Sequence, residues 1–96
     1  MRYELYIAAM GDEAALYAFG LAARLRKLGA LVETDHVGRS LKAQFKYADK
    51  VGAANVLTIG ENELSAGKGV IKDMAGGTER ETSLEAEGIF SVLRGV

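Results

Sequence analysis

Neither cysteine nor proline occurs in this chain, histidine occurs once, and no apolar run is long enough to cross a bilayer. Without cysteine there are no disulfides and no thiolate metal sites, which fits a reducing cytoplasm. His36 alone excludes a histidine-rich metal site and leaves a hydrolytic triad without a set of members around it. Because proline is missing, the twelve glycines mark most of the boundaries. The opening RYELYIAAM reads as a short strand ending at Gly11 rather than as a signal peptide. Two phosphate-binding signatures are also missing: there is no P-loop, and Met10-Gly11-Asp12 supplies one glycine where a GxGxxG fingerprint needs three. The carboxylates are numerous but scattered, and none forms an acid/base pair. These absences describe a binder rather than a catalyst.

What is present is an ordinary globular composition, 49% hydrophobic and 26% charged, in 96 residues: one domain with one core. The net charge of −1 conceals an uneven distribution. Residues 1–35 sum to −1, residues 36–60 to +3 and residues 61–96 to −3. The positive segment is Gly38 to Ala53, GRSLKAQFKYADKVGA, which packs Arg39, Lys42, Lys46 and Lys50 with the single acid Asp49 into one predicted helix. A cationic helix on a near-neutral domain is an electrostatic footprint whose natural counterpart is a phosphate backbone.

The pattern predicts a strand over Tyr3–Met10, apolar on both parities and so covered on two faces. A helix follows to about Leu28, with Asp12 as its cap, Leu16, Phe19, Ala23 and Leu28 as its inward stripe, and Gly29 as its stop. Leu31–His36 is the next strand, completing a βαβ unit whose crossover should be right-handed. Ser40 is the N-cap of the basic helix, Leu41, Phe45 and Ala48 its inward stripe, and Gly52 its end. Ala54–Ile59 is a third strand and Glu61–Gly67 a polar turn. Val70–Asp73 and Thr78–Ser83 form a hairpin through Gly76-Gly77, and Leu84–Leu93 is a terminal helix with Ile89, Val92 and Leu93 inward. The order βαβαββα implies a mixed sheet, mostly parallel, with helices on both faces.

Each candidate residue has a plain structural reading beside its functional one. Exposed lysines are common on helices, but Arg39, Lys42 and Lys46 recur at i, i+3 and i+7. No acid is expected four residues before them to neutralise them. Ser40 needs no role beyond capping, although a helix N-terminus fronted by Gly38-Arg39-Ser40 can receive a phosphate. Glu63 is either solvated or an acceptor for the amino or imino edge of an unstacked base. Lys72 is a strand cation or half of a cross-strand ion pair. Tyr47 and Phe45 are possible stacking groups, Phe45 being assigned to the core. His36, at a strand end, is read as structural or surface.

Three segments, GRSLKAQFKYADKVGA (38–53), TIGENEL (58–64) and GKGVIKDM (67–74), resemble in order the C-terminal anticodon-binding domain of bacterial histidyl-tRNA synthetase. ELYIAAMGDEAALYAFGLAARLRKLGALVETD (4–35) is similar to that domain's first βαβ unit, so the resemblance covers nearly the whole chain. It implies a three-layer α/β/α domain with a five-stranded mixed sheet, one strand antiparallel to the rest. It also implies a domain, residues 1–96, that grips the anticodon stem-loop of a histidine-specific tRNA while a separate catalytic domain attaches histidine. Under that resemblance Ser40, Lys42, Glu63 and Lys72 face the anticodon; with Arg39 and Lys46, read from the basic helix as phosphate contacts, they are the expected tRNA-binding residues, and no catalytic or metal-binding residue is expected. No cofactor is expected here, ATP and magnesium belonging to the catalytic domain, and no membrane partner. The full-length enzyme is expected to be a cytoplasmic homodimer, and this chain an excised piece of it, unable to aminoacylate alone. A stand-alone protein–protein adaptor of the same fold is the alternative. A flavodoxin-like nucleotide-binding domain fits less well because the phosphate loop is missing.

Overall fold

A computed structural model describes residues 2–35 and 38–95. His36 and Val37 lie outside the described residues, and with them the end of the expected second strand. The elements are β1 (Leu5–Ala9), α1 (Asp12–Lys27), β2 (Val32–Thr34), α2 (Leu41–Lys50), β3 (Asn55–Ile59), α3 (Glu61–Ala66), β4 (Lys68–Asp73), β5 (Glu79–Ser83) and α4 (Ala86–Arg94). The strands form one sheet in the order β2-β1-β3-β4-β5. β1 runs parallel to β2 and to β3, and β4 is antiparallel to both β3 and β5. β4 is therefore the one reversed strand, as expected.

Layering follows from side-chain parity along the strands. Leu5, Ile7, Val32, Leu57, Ile59 and Ile71 point to one face and pack with α1 and with Ile89 of α4. Tyr6, Ala8 and Val56 point to the other and pack with Ala48 of α2 and Ala53. β1 is buried at all five positions because it lies between the two layers. Both long helices end in the same way. Gly29 and Gly52 take φ of 102° and 71°, a region that favours glycine. The next amides, of Ala30 and Ala53, donate back to the Leu25 and Ala48 carbonyls at 3.1 and 3.0 Å, closing Schellman turns.

Three local expectations are corrected. The inward stripe of α1 is Ala14, Ala18, Leu21, Ala22 and Leu25, whereas Leu16 (76% exposed), Phe19 (59%), Ala23 and Leu28 face outward. Small alanines do the packing here because they let α1 sit close to the sheet, so residue size misled the choice of face. Asp12 is the first helical residue, not the cap; Gly11 holds the cap position and no side chain caps the helix. The polar stretch after Gly60 is a short helix rather than a turn, making the order βαβαβαββα. Its carboxylates Glu61 and Glu63 lie in the first turn, where the helix dipole favours negative charge.

Candidate functional site

The chemistry-bearing residues gather where the parallel strands end. At the C-terminal end of β1, Ala9 is clamped by Gln44 of α2. The Gln44 Oε1 accepts from the Ala9 N–H at 3.0 Å, and its Nε2 donates to the Ala9 carbonyl and to the Arg39 carbonyl, each at 2.8 Å. Gln44 is fully buried. A buried amide with its acceptor and donors engaged offsets its own desolvation, so it holds the start of α2 against the sheet at a fixed height. The Ser40 Oγ accepts from the Ala43 N–H at 3.2 Å, which confirms it as the N-cap.

Beside β1, the last residue of β3 is Ile59, which pairs with Ala9. The Met10 N–H donates to the Ile59 carbonyl at 2.9 Å. The Glu63 Oε1 then accepts from the Gly60 N–H at 2.8 Å. One run of hydrogen bonds and strand pairing thus links Arg39 and the start of α2, through Gln44, Ala9 and Ile59, to Gly60 and Glu63. The tertiary structure brings Arg39, Ser40, Lys42 and Glu63 to one edge of the sheet. Lys46 lies one turn further along α2, about 6 Å down the helix axis. Lys72 does not join them. It pairs with Val56, three residues before the end of β3 and so about 10 Å below that edge, with Glu79 as its neighbour on β5.

Arg39 departs from expectation in two ways. It precedes α2 instead of lying on it, so it does not continue the face of Lys42 and Lys46. An acid also lies four residues before it. Asp35 accepts from the Arg39 N–H at 2.8 Å through Oδ2, and its Oδ1 lies 3.5 Å from the guanidinium. The guanidinium stacks 4.5 Å from the centre of the Tyr47 ring, and Tyr47 meets Tyr6 edge-on at 5.9 Å. Tyr47 is thus already occupied as a stacking group, and Phe45 packs on the core as assigned. The Tyr6 hydroxyl is buried with no hydrogen-bond partner among the described residues. Burial, and next the Asp35 charge, push its ionisation up to about 12, against the pull of Arg39.

Lys42, Lys46 and Lys50 present a different picture. All three are exposed at four-residue spacing, and none is ion-paired among the described residues. Their charge therefore remains available to a partner. Two contributors escaped the sequence reading. Gln44 carried a signal, a polar residue on the inward stripe between Leu41 and Ala48. Asp35 carried one too, an acid at the end of β2 with i+4 spacing to Arg39. Among the described residues no group of three or more His, Asp or Glu could hold a metal ion. No helix there is long and apolar enough to cross a membrane.

Known proteins share this fold. A histidine–tRNA ligase of Clostridium perfringens is 45% identical over 94 residues, which are 98% of this chain and 23% of the relative. One from Caldanaerobacter subterraneus is 50% identical over 82 residues, 85% of this chain and 20% of the relative. The crystal structure of apo S. aureus histidyl-tRNA synthetase superposes with a TM-score of 0.85 at 31% identity, over 98% of this chain and 26% of that one. The RNA binding domain of threonyl-tRNA synthetase from Cryptosporidium parvum gives a TM-score of 0.82 at 15% identity, a likeness of fold alone. The chain spans about a quarter or less of the length of these histidine–tRNA ligases. The family described as the anticodon binding domain matches residues 4–94. With that match over nearly its whole length, and with the sheet order and α2 start described above, the chain belongs to the anticodon-binding domain family.

Proposed function

We propose that this chain is the anticodon-binding domain of a histidine–tRNA ligase, holding a histidine-accepting tRNA while a catalytic domain elsewhere in the enzyme attaches the amino acid. The observation that carries this reading is the strip of exposed lysines on α2, with no ion pair among the described residues, beside a capped helix start, in a chain whose relatives are histidine–tRNA ligases. Lys42 and Lys46 supply phosphate contacts, which set affinity for any RNA. The start of α2 adds backbone N–H groups without intrahelical partners. Glu63 reads a base edge: its Oε1 is engaged by Gly60, leaving the carboxylate further acceptor capacity. Lys72 serves RNA that reaches down the open β4–β5 face. Arg39, held by Asp35, contributes less free charge than the lysines. ATP, magnesium and acyl transfer belong to the catalytic domain, and the intact enzyme is a cytoplasmic homodimer with no membrane partner.

Binding of a histidine-accepting tRNA should weaken steeply with salt and be absent for an unrelated tRNA of equal length. Lys42→Ala with Lys46→Ala should lower affinity for all RNAs and flatten the salt slope by about two units. Glu63→Gln preserves the cap on Gly60 but should relax anticodon discrimination by about 1–3 kcal/mol. No binding of any tRNA at low salt would end the RNA reading. The purified chain should give no histidine-dependent ATP–pyrophosphate exchange; exchange free of full-length synthetase would overturn the division of labour.

One observation favours the adaptor alternative. Leu16 and Phe19 on α1 are large, apolar and exposed, on the face opposite α2. A protein-binding role without RNA predicts that Phe19→Ser abolishes partner capture while the lysine substitutions change nothing.

A further inference from the structure

Helix α1 carries no charged residue from Ala14 to Ala23, a stretch of about three turns. A helix apolar all round calls for cover on every side. Only its sheet-facing stripe has that cover. Ala15, Leu16, Phe19 and Ala23 point to solvent, Leu16 being 76% and Phe19 59% exposed. Tyr17, the polar side chain in the stretch, is tied inward by its hydroxyl, which donates to the Leu84 carbonyl. Charge is confined to the two ends: Asp12 and Glu13 open the helix, and Arg24, Arg26 and Lys27 close it. Asp12, Glu13 and Lys27 are exposed, with no ion pair among the described residues.

We infer that the outer face of α1 pairs with the same face of a second copy of this chain, the two helices lying antiparallel about a two-fold axis beside Phe19 and Gly20. The pairing does not depend on the RNA reading: α1 and α2 cover opposite faces of the sheet, so the lysines of α2 stay free. The face is its own complement in this orientation. Inverting α1 about the midpoint between Phe19 and Gly20 sets Phe19 against Gly20 and Leu16 against Ala23, large against small. It also brings Asp12 and Glu13 to the end where the other copy carries Arg24 and Lys27. A parallel pair would place acid on acid and base on base. Gly20, which costs a helix interior stability, supplies the room. The nearest side-chain atom that a Cβ there would meet, beyond its chain neighbours, is the Arg24 Nη1 at 3.5 Å. The apolar centre supplies the affinity, and the exposed charges set the orientation. Two helices in contact over about 24 Å stay below about 1,200 Å² of buried surface, in the class of weak interfaces. The pairing is therefore concentration-dependent, and the chain is monomeric at the low concentrations of a denaturation experiment.

Sedimentation equilibrium of this chain from about 1 μM to about 1 mM should show monomer passing into dimer, with no larger species because a two-fold axis closes the contact. Amide shifts on dilution should centre on Leu16, Phe19, Gly20 and Ala23. Phe19→Ser should weaken the dimer roughly ten-fold or more, since the axis counts each loss twice. Charge exchange checks the orientation. Asp12→Lys with Glu13→Lys leaves basic ends only. Arg24→Glu with Lys27→Glu leaves mainly acidic ones, Arg26 being held by the Val32 carbonyl and Glu33. All four positions are exposed. At low salt each variant alone should pair roughly ten-fold more weakly than the two mixed. A mixture that pairs no more tightly than its components overturns the antiparallel arrangement. Should either variant fail to fold, the dilution shifts of the parent chain decide. Shifts centred on α2 or β5 in place of α1 overturn the inference. So does a parent chain still monomeric at about 1 mM, which leaves the face of α1 to a different protein.

Discussion

On the α1 side of the sheet sixteen buried residues from β1–β4, α1, α4 and their connections form one cluster, while the α2 side has five. The α1 side is closed by two helices and holds large aliphatic side chains such as Leu21, Leu25 and Ile89. The α2 side is closed by one short helix through Ala48, partly buried Leu41 and Phe45, and the Gln44 clamp. The larger cluster contributes most of the apolar burial that stabilises the fold. The smaller one contributes less, yet it carries the exposed lysines of α2 and the N-cap serine. Most of the stabilising burial and most of the free positive charge thereby lie on opposite faces, Glu63 of α3 being the exception on the α1 side, and substitutions should sort the same way.

The largest effect is expected from Leu25→Ala, which empties a fully buried site in the α1 cluster and should cost about 2–5 kcal/mol in chemical denaturation while leaving the RNA surface of any folded fraction intact. A loss below 1 kcal/mol would show that the α1 cluster is not the dominant core. Gln44→Leu comes next. It leaves the Ala9 amide and carbonyl and the Arg39 carbonyl without their partner, for about 1–3 kcal/mol. Unlike Leu25→Ala it should also weaken RNA binding, because it frees the start of α2. Equal RNA affinity for a folded Gln44→Leu chain would break the link between clamp and surface.

Tyr6 gives a smaller, pH-dependent effect. Its folded ionisation lies near 12, against an unfolded value of 10.0, so the unfolded chain releases this proton first. Its contribution to stability is complete below pH 10 and is lost as the pH rises from 10 towards 12. Tyr6→Phe should remove that part of the alkaline decline and, because the hydroxyl makes no hydrogen bond of normal geometry among the described residues, stay within about 1 kcal/mol of the parent at pH 7. Denaturant midpoints of both chains from pH 8 to 12 check this; parallel curves would count against it. The smallest effect is Phe19→Ser, within about 0.5 kcal/mol, because the side chain already faces solvent. Leu21→Ser, two positions away, should unfold far more readily, and comparable losses at both sites would return Phe19 to the core.

Much of this was legible in the chain because it is locally encoded. Gly29 and Gly52 stop helices by backbone freedom, Ser40 caps by a bond to its own helix, and Gly76-Gly77 turns a hairpin, all within a few residues. β1 read as doubly covered because both parities are apolar. The amphipathic phase of α1 was not legible: its alanines and leucines are both apolar, and only the closeness of the sheet selects Ala14, Ala18 and Ala22 over Leu16 and Phe19. Helix α3 was missed because its stabilising bond, from the Gly60 N–H to the Glu63 carboxylate, is a one-sided cap in a polar stretch that also suits a turn. The sequence by itself determined the strand and helix order apart from α3, the cationic character of α2 and the resemblance that located the candidate residues. Only the tertiary structure decided which of them share a place. The parallel crossovers carry Ala9, Gln44 and Ile59 to one edge across separations of 35 and 50 residues, where hydrogen bonds between distant segments fix Arg39, Ser40 and Glu63 together and leave Lys72 apart. Pairing of that range depends on packing the whole sheet, which no local pattern contains.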